Sequence, residues 1–215
     1  MLVEDIMIKQ PVTITEEQTI QEALELLHQN KIRHLPVIKE DKTLIGIVSD
    51  RDIRDASPSI FYLDDNNESL LHPVSRIMKY PVITTHPLDF IEEAAVLYGE
   101  NDISALPVVT EDDQLRGLLT ETDVLHTLVK LTGAHEPSSH IEVKVPNKPG
   151  QLADISTIFK EHHVNVTSLL VYPHSDQGWN ILTFRVRTMD PRSIIKHIQS
   201  KGYEVQGPRF PGLQQ

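Results

Sequence analysis

The first part of the chain orders its apolar and polar residues as a helix, two short strands and a second helix. The pair Thr19 and Glu22 has capping-box spacing and precedes an apolar stripe of helical period, which predicts a helix from about residue 20. That stripe consists of Ile20, Ala23, Leu24 and Leu27. Apolar runs at 35–38 and 44–48 flank a polar turn and predict a hairpin of two strands. The second helix is expected to begin near Ser49.

The same pattern returns 71 residues later, so this part of the chain is an internal duplication. The second copy predicts a helix over 89–99, strands at 106–109 and 115–119, and a helix from Thr120. Three motif residues recur at the same offset, since Met7, Pro36 and Gly46 correspond to Met78, Pro107 and Gly117. The polar stretch 57–73 is expected to connect the copies at the surface. Two copies that face each other are expected to form a cleft with two related sites.

A separate pattern begins after the linker-like residues 132–139. The predicted elements are a strand at 140–145, a helix through 152–159, strands at 164–172 and 179–187, a helix opened by 190–191 and a strand at 203–206. Asn147 stands where the N-cap of the first of these helices is expected. The order β-α-β-β-α-β is typical of two helices packed on one face of an antiparallel sheet. The fold class is therefore expected to be α+β.

Composition narrows the function classes. The chain of 215 residues has no cysteine, which removes disulfides, thiol nucleophiles and cysteine-based zinc sites. Its formal charge of −11 argues against a protein that coats nucleic acid. We expect a cytoplasmic protein without membrane attachment, because the chain shows no signal-peptide pattern and no apolar stretch of membrane-spanning length. The histidines at 162, 163 and 174 are expected to be solvated rather than to bind metal.

Two seven-residue motifs carry the candidate chemistry: Gly46-x-x-Ser49-x-x-Asp52 and Gly117-x-x-Thr120-x-x-Asp123. In each copy a strand ends at a hydroxyl residue and a carboxylate follows in the first turn of a helix. Hydroxyl and carboxylate suit the phosphate and ribose of a nucleotide. The same spacing also fits a capping box, in which both side chains bond to their own backbone. Spacing alone leaves both interpretations open.

The duplicated motifs resemble a tandem pair of CBS domains, known as a Bateman module. The resemblance rests on Ile-Met at 6–7 and 77–78, on Leu-Pro-Val at 35–37 and 106–108, and on the motifs at 46–52 and 117–123. It implies a module over about 1–133, with repeat 1 at about 1–56 and repeat 2 at about 73–133. It also implies that Ser49, Asp52, Thr120 and Asp123 bind an adenine nucleotide between the repeats.

The same resemblance places basic residues next to the ligand phosphates. In repeat 1 these are Arg33 and His34, whereas repeat 2 has Ser104 and Ala105, so the two sites are expected to differ in phosphate affinity. A solvated arginine and a structural histidine hydrogen bond are the competing interpretations. We expect the base to be selected by apolar and backbone groups near Val12, Val37, Val82 and Val108.

The last part of the chain resembles an ACT domain over about 138–210. The similarity lies in Val-Pro-Asn-Lys-Pro-Gly-Gln-Leu at 145–152 and Val-Asn-Val-Thr-Ser at 164–168. It implies a ferredoxin-like fold and an amino acid or small metabolite held by Asn147, Gly150 and Gln151; a helix cap is the alternative role of Asn147. Segments at 56–61, 86–90, 129–134 and 170–174 further resemble the acetoin utilization proteins, a regulatory group linked to acetoin catabolism.

Together these resemblances imply a non-catalytic regulatory protein that senses an adenine nucleotide such as AMP, ATP or a related adenosyl ligand. A homodimer paired through helices such as 20–29 and 91–98, with a metabolic enzyme as partner, is expected. A ligand-free assembly scaffold is one alternative. An enzyme acting in the cleft is another, but the chain contains neither a Gly-x-Ser-x-Gly elbow nor a Walker loop.

Overall fold

The computed structural model describes residues 1–56 and 68–208, which form two compact units that divide between Leu125 and His126. The predicted connection at 57–73 and the segment at 56–61 lie largely outside the described residues. The helices are α1 (Ile20–Asn30), α2 (Asp50–Ala56), α3 (Ile91–Asn101), α4 (Glu121–Thr132), α5 (Gln151–Glu161) and α6 (Arg192–Ser200). The strands are β1 (His34–Ile38), β2 (Leu44–Ser49), β3 (Ala105–Val109), β4 (Leu115–Thr120), β5 (Ser139–Pro146), β6 (Val166–Pro173), β7 (Trp179–Val186) and β8 (Glu204–Gly207).

The first unit contains the two copies of the predicted helix and hairpin. Helix α1 begins at the capping box, in which Thr19 accepts a bond from the backbone of Glu22 and Glu22 accepts one from the backbone of Thr19. Hairpins β1–β2 and β3–β4 are antiparallel and share one register. Helix α3 starts at Ile91, two residues later than predicted, because the Asp89 carboxylate accepts a bond from the backbone of His86 in the preceding turn.

The repeats exchange their first segments. A 3-10 turn at Val3–Asp5 lies at the start of repeat 1, and its counterpart at Val74–Arg76 lies at the start of repeat 2. The backbone N–H of Val3 donates to Asp89 O in repeat 2 at 3.0 Å, and that of Val74 donates to Gln18 O in repeat 1 at 2.8 Å. Both valines are fully buried, each in the core of the other repeat. Neither core is therefore built from one repeat alone.

The two repeats are related by an approximate two-fold axis. We call two residues counterparts when they are 71 positions apart and so occupy matching places in the two repeats. Thr43 and Gln114 are counterparts, and Gln114 Nε2 donates to Thr43 Oγ1 at 2.9 Å. Beside them, Leu44 N donates to Asp113 O and Leu115 N donates to Lys42 O. The two hairpin loops therefore meet at the axis that relates the repeats.

The second unit has a four-stranded antiparallel sheet in the order β6-β7-β5-β8, so the predicted β-α-β-β-α-β order is confirmed. Alternate residues of β5 are buried against α5 and α6. The predicted N-cap is wrong, because Gly150 is the N-cap of α5, with a φ of 96°. Helix α5 starts too late for Asn147 to cap it, and Asn147 Oδ1 instead accepts a bond from Asn180 Nδ2 at 3.1 Å.

No helix within residues 1–56 and 68–208 combines the length and the apolar character needed to cross a membrane.

Candidate functional site

A cleft of about 310 Å³ opens in the first unit where the end of β2 and the start of α2 face the start of β3. Polar lining residues that the sequence analysis identified from repeat 1 are Arg33, His34, Ser49 and Asp52. Apolar lining comes from Ile47, Ile103 and Ala105, and further charged residues are Asp50, Arg51, Arg54, Lys79, Asp102 and Glu121. Both repeats therefore contribute to one cleft.

Ser49 and Asp52 form a capping box at the start of α2. Asp52 Oδ2 accepts bonds from the Ser49 backbone N–H at 2.8 Å and from the Ser49 hydroxyl, while the Asp52 N–H donates to Ser49 Oγ at 3.2 Å. Thr120 and Asp123 repeat this arrangement, with backbone bonds of 2.9 and 3.3 Å. The capping interpretation is thus confirmed in both repeats, and it uses Oδ2 of each carboxylate.

The other oxygen of Asp52 faces a lysine that the sequence analysis did not identify. Lys79 Nζ lies 3.4 Å from Asp52 Oδ1, and the Asp52 side chain is only 13% exposed. Lys79 directly follows the exchanged segment of repeat 2, which carries it to the carboxylate of repeat 1. The counterpart of Lys79 is the apolar Ile8, so a comparison of the repeats in sequence does not mark Lys79 as a site residue. Its place beside Asp52 becomes visible only once the exchange of segments is known.

His34 links the two sides of the cleft. Its Nε2 lies 3.0 Å from Ser104 Oγ, so the structural hydrogen bond considered for His34 is present. Burial, followed by the positive charge of Arg33, lowers the pKa of His34, although Asp50 and Asp52 oppose the shift. The imidazole is therefore mainly neutral near pH 7.

Other predicted residues lie away from this cleft. Thr120 and Asp123, though capped like Ser49 and Asp52, are not among the described residues that line it. The side chains of Val37 and Val108, near which the base pocket is expected, are fully buried in the cores. Their apolar character is accounted for by strand burial.

In the second unit, Asn147 and Gly150 lie in the loop between β5 and α5, and Gln151 is the first residue of α5. The backbone N–H of Asn147 donates to Gly178 O at 2.9 Å, which ties this loop to the hairpin between β6 and β7. Space is open beside Gly150, since no heavy atom of the described residues, apart from its two chain neighbours, lies within 4 Å of the position that a β-carbon would take.

Among the described residues, the histidines at 162, 163 and 174 do not form one cluster with other metal-binding side chains. His162 Nε2 instead lies 3.2 Å from His197 Nδ1 on α6. In the part of the chain that the structure describes, no three histidines or carboxylates are placed to hold a metal ion together.

Comparison with known proteins matches both units. The CBS domain family model matches residues 3–59 and 74–130, more than half of the chain, and the ACT domain model matches residues 139–197. A CBS domain-containing protein of Dictyostelium discoideum is 37% identical over 142 residues, which cover 64% of this chain and 98% of that protein. Several other relatives are homoserine O-acetyltransferases, and the chain spans 23% of their length.

Two crystal structures resemble the chain at the level of the CBS pair. The acetoin utilization protein AcuB of Vibrio cholerae is 30% identical, with a TM-score of 0.53, and the match covers 64% of this chain and 98% of that one. CBSX2 of Arabidopsis thaliana, solved in complex with AMP, is 29% identical, with a TM-score of 0.53, and the match covers 60% of this chain and 96% of that one.

Proposed function

The chain belongs to the CBS domain family, with an ACT domain after its CBS pair, and we propose that it is a non-catalytic regulatory protein that binds an adenine nucleotide in the cleft of its first unit. The supporting observation is the convergence of Arg33, His34, Ser49 and Asp52 on one cleft. CBSX2, which is a CBS-pair protein, was crystallised with AMP. AMP, ATP or a related adenosyl compound is the proposed ligand.

Each side chain has a role that its geometry supports. Asp52 Oδ2 is used by the cap, which fixes the carboxylate and leaves Oδ1 directed to the cleft side, where Lys79 lies. In our proposal Oδ1 accepts hydrogen bonds from ribose hydroxyls. We propose that Arg33 and Lys79 bind the phosphate, and that the Ser49 hydroxyl, which donates its only proton to Asp52 Oδ2 in the ligand-free cap, turns to donate to the phosphate when the ligand is present. Capping and ligand binding are therefore compatible in one residue.

Signalling would follow from the shared cleft. Because repeat 1 and repeat 2 both line it, a ligand that prefers one arrangement of the repeats shifts the population toward that arrangement. We propose that this shift changes contacts with a metabolic enzyme or between subunits of a cytoplasmic homodimer. The similarity to AcuB supports a link to acetoin catabolism.

The ACT domain is proposed to bind a second ligand, an amino acid or a small metabolite. Asn147 and Gly150 lie in the loop before α5, Gln151 begins that helix, and the space at Gly150 is open, which supports this location. The amide of Asn147 is not spent on capping the helix, so its polar groups remain near the loop surface.

A binding screen tests the proposed function. Thermal unfolding and calorimetric titration with AMP, ATP, S-adenosylmethionine and adenosine, and with GMP for comparison, should show stabilisation by at least one adenine compound. A ligand present at 100 times its dissociation constant stabilises the folded state by about 2.7 kcal/mol. If no adenine compound binds at millimolar concentration, the sensor is excluded in favour of the ligand-free scaffold. Turnover of the bound nucleotide would instead favour the enzyme.

A further inference from the structure

Positive charge is distributed differently around the two related sites. The basic residues that line the cleft are Arg33, His34, Arg51, Arg54 and Lys79. Their counterparts are, in the same order, Ser104, Ala105, Thr122, Leu125 and Ile8, none of which carries a charge. In the related site, the counterparts of the lining residues Asp102, Ser104 and Ala105 are Lys31, Arg33 and His34, so that site is not without positive charge. The two sites differ in where positive charge lies relative to the capping carboxylate.

Lys79 is the cation closest to that carboxylate. A phosphate and a carboxylate that bind the same nucleotide lie a few ångström apart and repel each other. An ammonium 3.4 Å from Asp52 Oδ1 offsets this repulsion, because it attracts both groups. The Lys79 side chain is 66% exposed, so its end can turn toward a phosphate in the cleft while its stem stays in place.

Beside Asp123, the counterpart of Lys79 is an aliphatic residue, Ile8. Ile8 N donates to Leu118 O at 2.9 Å, just as Lys79 N donates to Ile47 O at 2.9 Å, so the two backbones occupy matching positions. The side chain at Ile8 supplies no charge to offset the repulsion between a phosphate and Asp123. Identical backbone placement thus carries an ammonium in one repeat and an aliphatic group in the other.

We propose that Lys79 makes the repeat 1 site selective for a phosphate-bearing nucleotide, while the related site at Thr120, Asp123 and Ile8 does not bind phosphate. This inference rests on the proposed function and adds a stoichiometry of one phosphorylated nucleotide per chain. The chain also offers the matched substitutions, because each repeat supplies the residue that the other lacks.

Calorimetric titration of the full chain with AMP and with adenosine tests this proposal. The parent should bind one AMP per chain. Lys79→Ile should weaken AMP binding about tenfold or more, the equivalent of losing one charged hydrogen bond, and should change adenosine affinity less than twofold. Lys79→Arg should restore most of the AMP affinity. Ile8→Lys should add a second AMP site, and Lys160→Ile, at an exposed lysine of the second unit, controls for the loss of a surface charge.

The outcomes separate this inference from the proposed function. Two AMP molecules per parent chain, or unchanged AMP affinity in a folded Lys79→Ile protein, would overturn the role of Lys79 while leaving adenine binding intact. If neither AMP nor adenosine binds the parent, the proposed function itself fails. Equal loss of AMP and adenosine in Lys79→Ile would show a structural role for Lys79 and would also overturn the inference.

Discussion

The sulfur atom of Met78 occupies the space in which a side chain at Gly46 would begin. A β-carbon on Gly46 would lie 2.6 Å from that sulfur, and one on Gly117 would lie 2.5 Å from the sulfur of Met7. Each glycine is thus matched with the methionine of the other repeat. The recurring glycines and methionines of the two motifs serve packing between the repeats, whereas the proposed ligand contacts come from their neighbours.

Replacing either glycine by alanine should destabilise the first unit. Overpacking at such a contact costs about 1–3 kcal/mol, and Gly117→Ala should cost more than Gly46→Ala. The reason is that a β-carbon at Gly117 would also lie 2.8 Å from the backbone oxygen of Ile8, which cannot rotate away as a methionine end can. Chemical denaturation measures the change. Gly99→Ala is the control, because among the described residues only the backbone of its own helix and its chain neighbours lie near Gly99, and alanine in a helix is favoured by about 0.5–1 kcal/mol.

The two capping carboxylates should respond differently to replacement by alanine. Asp52→Ala and Asp123→Ala should each lower the free energy of unfolding by about 1 kcal/mol, because each removes a capping box. Asp52→Ala alone should weaken adenine nucleotide binding at least tenfold, since Asp52 lines the cleft. Titration calorimetry and thermal melting together decide the matter. Parent-like affinity in Asp52→Ala would leave Asp52 with capping as its sole role.

Acidification should destabilise the ligand-free protein through His34. The pKa of His34 is lowered in the folded state, mainly by burial, so the unfolded chain binds a proton more readily. The stabilising effect of neutral His34 is therefore present above its ordinary pKa of about 6.5 and is lost as the pH falls through its folded pKa. Urea unfolding from pH 7.5 downward should show this loss, and His34→Gln should reduce it. If the free energy of unfolding depends on pH in the same way in the parent and in His34→Gln, other groups cause the loss of stability. His163→Gln, at an exposed histidine, is the control.

We expect a homodimer in which α4 contributes to the interface. Leu125, Leu128 and Leu131 recur every three residues along α4 and are more than half exposed, which is unusual for a surface that stays in water. Analytical ultracentrifugation should give a mass near twice 24.4 kDa. Leu128→Glu with Leu131→Glu should shift the protein toward the monomer, while Leu71→Glu, at another exposed leucine, should not. A monomeric parent at micromolar concentration would contradict the dimer.

Local sequence patterns predicted most of the secondary structure. The capping box at Thr19 and the apolar stripe after it located α1, and the alternation at 140–145 located β5, because these signals depend on neighbours in sequence. Asn147 was misjudged since a turn and a helix cap attract the same residue types. Gly150 ends that turn with a positive φ and displaces the helix start.

The candidate site was predictable only where its residues lie on one repeat. Ser49 and Asp52 are three residues apart and share a motif, so spacing alone brought them together. Lys79 reaches Asp52 through the exchange of segments, a long-range arrangement that no local pattern records. The burial of Val37 and Val108 in the cores could not be predicted from the sequence either, because an apolar strand residue gives the same pattern whether it faces a core or a ligand.

The exchange of the 3-10 turns at Val3–Asp5 and Val74–Arg76 also bears on how such a chain arose. A polypeptide with a single repeat would leave its own core without the valine that fills it and would present that valine to another molecule. Two such polypeptides could complete both cores by reciprocal donation, as domain-swapped dimers do. The tandem chain is geometrically equivalent to such a swapped dimer with its halves covalently joined. In a fused chain the two halves need not be identical, and Lys79 and Ile8 are one pair of matching positions at which they differ.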